Sequence, residues 1–247
     1  MDANAYLKRI RYAGTLVPSA ETLRALHHAH MLAVPFENLD IHRGRPIVLE
    51  LPRLYDKIVN QGRGGFCYEL NGLFAWLLGQ LGFRVEMLSA RVCNGGEPGP
   101  EFDHMALLVQ REKRLLADVG FGDSFVEPLL LDDVGEQVQR GVAYRIESDG
   151  EIVRMLERRP GQAWLVVYQF TLQSRQLSDF AEMCVWQQTA PESHFTKKRV
   201  CSLATNDGRV TLSDKKLIVT KNGERNERTL ANEDEYRSTL SKYFGIA

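Results

Sequence analysis

Cys67 has the local sequence of a nucleophile. It follows two glycines in Arg63-Gly64-Gly65-Phe66-Cys67-Tyr68-Glu69-Leu70-Asn71, and Leu73, Leu77 and Leu81 then recur at helical spacing up to Gly82. The glycines let the backbone turn tightly just before that helix. A thiol in the first turn lies at the positive end of the helix dipole, which favours the nucleophilic thiolate. The competing reading is a small buried hydrophobe, as free cysteines often are. A cysteine nucleophile needs a base, and the base needs an orienting group. His104 opens the apolar run His104–Val109, and Asp118 closes the run Arg114–Ala117. A turn at Arg111–Arg114 makes these runs an antiparallel hairpin with His104 and Asp118 at its open end. Taken singly, His104 is also a strand-end histidine and Asp118 a turn residue. A one-residue slip of register would turn either side chain to the other face. The three together point to nucleophilic catalysis through cysteine.

Weaker signals surround them. Gly120-Phe121-Gly122-Asp123 allows a tight loop whose N–H groups could hold an anion, but it is neither a P-loop nor a dinucleotide fingerprint. In Val34-Pro35-Phe36-Glu37-Asn38-Leu39, Phe36 could line an aromatic pocket and Glu37 could pair with Arg63; the alternative is a structural corner. His27, His28 and His30 fall on a predicted helix, with His27 and His30 on one face. No carboxylate or cysteine stands at metal-binding spacing from them. They read as a partly exposed helical face, and no metal site is expected.

The elements that must position these residues change character along the chain. Helices are predicted from Asp2 through Arg11 with Gly14 ending the first, from Ser19 past Leu23, Leu26 and His30, from Pro52 to Gly62, and from Cys67 to Gly82. Short β-rich runs follow: 84–92, 105–110, 115–119, 143–147, 152–157, 164–170, 199–203, 209–213 and 216–220. A helix is possible around 179–187, and Asn232 opens a last one over 233–243. Helices first and strands after predict an α+β fold in two or three layers.

The 247 residues carry 31 basic and 32 acidic side chains, a net charge of −1. No global basic field attracts nucleic acid or an anionic membrane, and no apolar run reaches the ~18 residues of a membrane span. Four scattered cysteines form no disulfide framework, and the first residues show no signal-peptide pattern. Both point to a reduced, cytoplasmic protein.

Taken in order, four segments resemble the arylamine N-acetyltransferase family: residues 34–39, 63–71, Asp103-His104-Met105-Ala106-Leu107-Leu108-Val109 and Asp118-Val119-Gly120-Phe121-Gly122. Phe170-Thr171-Leu172-Gln173, Ser193-His194-Phe195 and the ending Lys242–Ile246 extend the resemblance almost end to end. It implies an N-terminal helical bundle over 1–83, a central β-barrel over 84–185 and a C-terminal α/β lid over 186–247, around a cysteine-protease-like catalytic core. It implies a Cys67, His104, Asp118 triad and a structural Arg63–Glu37 contact. Substrate-binding roles fall on Phe36, Phe125 and Phe195, and coenzyme contacts on Gly122, Asp123 and Ser124. The partners it implies are an arylamine or hydrazine and coenzyme A, with acetyl-CoA as donor and no metal. The short finish after Gly245 leaves little room for a tail over the coenzyme. Two departures bear on substrate preference: Gln173 precedes Ser174-Arg175 rather than Pro-Arg, and residues 188–191 read Gln-Thr-Ala-Pro rather than Ser-Thr-x-Pro. An amide synthase of the same family and a cysteine hydrolase are the competing functions.

Overall fold

The computed structural model describes residues 1–247. Its first layer is helical: α1 (Ala3–Arg9), α2 (Ala20–Ala33), α3 (Leu39–His42), α4 (Leu51–Tyr55), which runs on as a π-turn over Asp56–Asn60, and α5 (Cys67–Gln80). The caps are those the sequence announces. Asp2 accepts from the Asn4 N–H and Ser19 from the Thr22 N–H. α1 stops at Arg9 rather than Arg11, because Arg11 turns to a positive φ of 55° before Gly14 is reached. The Arg9 side chain then donates to the carbonyls of Ala33, Ile58 and Gly62. One cation thereby closes the ends of α2 and of the π-turn, where carbonyls lack helical partners.

The second layer is a sheet in the order β6-β5-β4-β2-β10-β9-β8-β7, nearly closed into a barrel. Its strands are β2 (Arg84–Asn94), β4 (His104–Gln110), β5 (Arg114–Ala117), β6 (Leu129–Leu130), β7 (Gln137–Gln139), β8 (Val142–Asp149), β9 (Ile152–Arg158) and β10 (Leu165–Arg175); the short β3 (Glu97–Pro98) pairs with β2 off this path. β4 is buried along nearly its whole length because both its faces are covered. Leu107 and Val109 pack on the helices, while Ala106 and Leu108 fill the barrel. The end strands β6 and β7 are joined by side chains instead of a backbone ladder. Gln137 accepts from the Leu130 N–H at 2.7 Å and donates to the Leu130 carbonyl at 2.9 Å. Gln139 accepts from the N–H groups of Val126 and Glu127 and donates to the Glu127 carbonyl. A primary amide carries both a donor and an acceptor, so it can stand in for a strand's peptide.

The third layer is a sheet ordered β1-β11-β12-β13-β14: β1 (Phe36–Glu37), β11 (Val200–Thr205), β12 (Gly208–Ser213), β13 (Lys216–Lys221) and β14 (Glu224–Thr229). α8 (Glu233–Phe244) covers it, capped by Asn232 and ended by left-handed Gly245. β1 brings the helical segment into this sheet. α6 (Ala181–Thr189), preceded by a 3₁₀ turn at Leu177–Phe180, and α7 (His194–Lys197) link barrel to lid. The expected boundary between 185 and 186 falls inside α6. No helix is long and apolar enough to cross a membrane.

Candidate active site

Cys67 is the first residue of α5 and is buried. The turn before it is fixed by close approach. A Cβ on Gly64 would lie 1.9 Å from the Pro35 carbonyl oxygen, and one on Gly65 would meet Glu69 Oε2 at 2.6 Å. Only glycine fits either position. The Glu69 carboxylate folds back to accept from the Phe66 N–H, half of a capping box at the start of the helix.

Behind that turn lies a buried ion cluster. Arg63 donates twice to Glu37 Oε1, at 2.7 and 3.0 Å, and once to Asp40 at 3.0 Å. Lys57 lies 2.8 Å from Glu69 and 2.9 Å from Asp40. The Glu37–Arg63 pair read from sequence is therefore present, extended by Asp40, Lys57 and Glu69. Arg63→Ala leaves three carboxylates, Glu37, Asp40 and Glu69, buried beside a single cation, Lys57. It is expected to cost about 3–5 kcal/mol, read as a lower urea midpoint with an unchanged slope.

His104 and Asp118 stand at the open end of the β4–β5 hairpin, as the sequence predicts. The register pairs Gln110 with Arg114 and Leu107 with Ala117. His104 Nε2 lies 2.7 Å from Asp118 Oδ2. Asp118 Oδ1 accepts from Asn71 Nδ2 and from the Gly120 N–H, each at 2.9 Å. Burial alone would raise this carboxyl's pKa. The His104 ring and these donors hold it below the usual carboxylate range.

Asn71 ties the parts together, and the sequence reading passed over it. One turn along α5 from Cys67, its Nδ2 also donates to the Met105 carbonyl at 2.6 Å, and its Oδ1 accepts from the Val119 N–H at 2.9 Å. One side chain thus docks the cysteine's helix onto both the histidine's strand and the aspartate's loop. A Cβ on Gly120 would come 2.8 Å from the Cys67 Cα, so the loop presses directly on the start of the helix. Burial pushes the Cys67 thiol well up, against a hydrogen bond from the Met105 backbone. Burial therefore works against the helix terminus, which favours the thiolate. A charge partner is required.

Tyr168 was also missed. Its ring lies 5.3 Å from that of His104 and 5.5 Å from Phe121, and its hydroxyl is buried beside the Asp118 carboxylate. Burial, with the Asp118 charge beside it, keeps the phenol protonated. Its signal in the sequence was only a tyrosine within a strand.

The expected substrate residues separate into two places. Phe36 and Phe195 face each other at 6.1 Å, and Phe66 lies 5.5 Å from Phe195. Together they make an aromatic wall beside the cysteine. Phe125 is 1 % exposed and stacks on His27 inside the protein, away from that wall. Gly122 lies against Phe36. Asp123 bridges Arg159 of the barrel at 3.1 Å and Arg209 of β12 at 2.9 Å. The Ser124 hydroxyl is buried without a partner and lines a cavity with Arg140, Arg159 and Arg209. The departure at residue 188 has a structural use: Gln188 pairs with both the N–H and the carbonyl of Ile47. Its neighbour Gln187 donates to Asp103, next to His104.

The histidine tract is a correction. His27 and His30 are fully buried, not on an exposed face. The apolar wall of α2 is completed by two imidazoles that find buried partners. His27 lies 2.8 Å from the Val126 carbonyl and accepts from the Asp118 N–H at 3.1 Å, and His30 meets the Tyr6 hydroxyl at 3.0 Å. No group of three or more His, Cys, Asp or Glu side chains is arranged to hold a metal.

Burial lowers the His27 pKa from 6.5 to about 4 and moves His30 the same way. In the unfolded chain these rings take up protons that the folded state refuses. Their contribution is therefore complete above pH 6.5 and is lost as pH falls through that value toward 4. The limiting slope is about 1.4 kcal/mol per pH unit per proton. Urea midpoints at pH 7 and pH 5 are expected to lie closer together in His27→Gln than in the unaltered chain.

The chain is thus a helical layer, an almost closed barrel and a small α/β layer, with Cys67, His104 and Asp118 all buried. A family model described as N-acetyltransferase matches residues 19–247. The chain is 35% identical to the pineal gland arylamine N-acetyltransferase NAT-3 of Gallus gallus, over all of this chain and 94% of that protein. It is 34% identical to the arylamine N-acetyltransferase of Escherichia coli K12, over 98% of this chain and 88% of that one. Among solved structures, the Mycobacterium marinum arylamine N-acetyltransferase in complex with CoA superposes with a TM-score of 0.91 at 32% identity, covering 99% of this chain and 93% of that one. The chain belongs to the arylamine N-acetyltransferase family.

Proposed function

We propose that this protein transfers an acetyl group from acetyl-CoA to an arylamine or arylhydrazine through an acetyl-Cys67 intermediate. The observation that carries the reading is the 2.7 Å His104–Asp118 pair, held by Asn71 against the helix that Cys67 begins. With Nε2 engaged by the aspartate, His104 Nδ1 is the nitrogen left to take the thiol proton. The imidazolium so formed is stabilised by Asp118. It is also the charge partner that a buried thiolate requires.

Cys67 Sγ attacks the thioester carbonyl of acetyl-CoA. The N–H groups of Cys67 and Tyr68, which have no carbonyl partner within α5, are the donors we assign to the oxyanion. The carbon–sulfur bond to coenzyme A breaks, and its thiolate leaves with the proton from His104. The amine then attacks acetyl-Cys67, gives a proton to His104 and departs as the amide, and the thiol is restored. Arylamines suit the step because their conjugate acids are weak, which leaves a neutral nucleophile at pH 7. Phe36 and Phe195, both partly exposed and backed by the buried Phe66, supply surface for an aromatic acceptor to pack on. The cavity lined by Ser124, Arg140, Arg159 and Arg209 offers cations and a free hydroxyl to the phosphates of coenzyme A. Asp123 holds Arg159 and Arg209 in place rather than meeting the anion itself.

We assign the helical bundle to residues 1–83, the barrel to 84–185 and the lid to 186–247, with α6 as the shared seam. Four free cysteines accord with a reducing cytoplasm.

Initial rates against acetyl-CoA at several fixed concentrations of an arylhydrazine test the scheme. Parallel double-reciprocal lines are expected, because coenzyme A leaves before the acceptor enters. Intersecting lines would mean a ternary complex and no acetyl-enzyme. Acyl-CoA hydrolysis unaffected by the amine would favour the hydrolase.

A further inference from the structure

His27 lies beside the site without contacting any group that the transfer uses directly. It sits in the second half of α2, and its two ring nitrogens engage main-chain groups eight residues apart. Nδ1 is 2.8 Å from the Val126 carbonyl, and Nε2 is 3.1 Å from the Asp118 amide nitrogen. A carbonyl cannot donate, so Nδ1 carries the hydrogen. Nε2 therefore keeps a lone pair, which accepts the Asp118 N–H. The ring is held in this pose by Phe125 stacked on one face at 5.8 Å and by the edge of Phe74 at 6.1 Å. Between the two anchored groups runs a loop that carries much of the site. Asp118 begins it, Phe121 packs edge-on against the His104 ring at 5.2 Å, and Gly122 meets Phe36.

We propose that His27 is a positioning residue for the acetyl transfer: as a neutral imidazole it staples both ends of the 118–126 loop and so fixes the Asp118 carboxylate against His104. The inference rests on the reading of Cys67, His104 and Asp118 given above. The role requires a donor and an acceptor on one compact, uncharged, buried group. A protonated ring would turn a second N–H toward the Asp118 amide and lose that bond. Burial, which lowers the ring's pKa, therefore works in the same direction as the geometry.

The test compares His27→Phe with His27→Gln. Phenylalanine keeps the ring packing and removes both hydrogen bonds, whereas glutamine supplies a donor and an acceptor at similar reach. Each variant is assayed well below its own melting temperature. The readouts are kcat, KM for acetyl-CoA and the rate of Cys67 alkylation by iodoacetamide. In His27→Phe, kcat is expected to fall about 10- to 100-fold with KM little changed, since a small misplacement of a group used only in the chemical step acts on that step. Alkylation is expected to slow in parallel, and His27→Gln to recover most of both. Should His27→Phe fail to fold, His27→Asn takes its place with the same expectation, because its shorter amide cannot reach both partners at once. An unchanged kcat in the folded Phe or Asn variant would overturn the proposal. So would equal losses in the Phe or Asn variant and in the Gln variant, which would reduce His27 to core packing. If the unaltered protein transfers no acetyl group, the functional reading fails, and the alkylation rates alone decide whether His27 acts on the cysteine.

Discussion

Cys67→Ala, mixed with acetyl-CoA and weighed intact, is expected to show no change in mass. The unaltered chain is expected to gain one acetyl group and to lose it when an arylamine or hydrazine is added. The expectation follows from what surrounds the thiol. Cys67 is 3 % exposed, and the base we assign to it, His104, is held by Asp118 at 2.7 Å. Without the sulfur, acetyl-CoA has no covalent acceptor, and direct attack by the amine lacks the activated intermediate. Turnover is expected to fall by ~10⁴-fold or more, the scale on which removing an activated nucleophile acts. Because the side chain is small and the ion cluster behind it is untouched, the variant is expected to fold, and circular dichroism checks that it does. An acetyl adduct on Cys67→Ala would place the nucleophile elsewhere.

Asp118→Asn is expected to cost about 10⁴-fold in kcat, as loss of the charged member of such a triad does. The hydrogen bonds dictate how. Asn71 and the Gly120 N–H both donate to Oδ1, so an asparagine would keep its oxygen there and turn its amide NH₂ toward His104. His104 Nε2 would then have to accept, which moves the ring's hydrogen to Nδ1 and removes the lone pair that should take the thiol proton. The charge that stabilises the imidazolium is lost as well. Acetyl-CoA binding uses neither effect, so its KM should stay close to that of the unaltered protein. A rate within tenfold of normal would remove Asp118 from the chemistry.

Much of this site is legible in the sequence because its signals are local. Gly64 and Gly65 mark a backbone approach that no side chain permits, and the β4–β5 hairpin follows from two apolar runs with a polar turn between them. What escaped has the opposite character. Asn71 lies on a helix where an asparagine gives no local signal, and its three partners come from β4 and the loop after β5. His27 looked like part of a polar face because its burial depends on the barrel packing across α2. β14 was missed because Glu-Arg-Asn-Glu-Arg-Thr has no apolar alternation. All six residues are exposed, and the strand exists only through its pairing with β13. Its charges suit an outer strand, which must not invite another chain to pair. Nor did the runs themselves show that the strands curl into a barrel, since closure depends on sheet twist and on the two glutamines at its seam.

That seam gives the barrel one join made of rotatable side chains. A backbone ladder parts only as its strands unravel, whereas Gln137 and Gln139 can let go and re-form by changes of rotamer alone. A join of this kind is expected to open at a lower free energy than global unfolding, read as faster amide hydrogen exchange at Val126 and Leu130 than along β4. Gln139 holds the Val126 N–H from one side while His27 holds the Val126 carbonyl from the other. Opening of the seam frees the Val126 N–H while His27 still holds the carbonyl of the same residue, so the barrel's side-chain join and the loop that begins at Asp118 are linked through Val126.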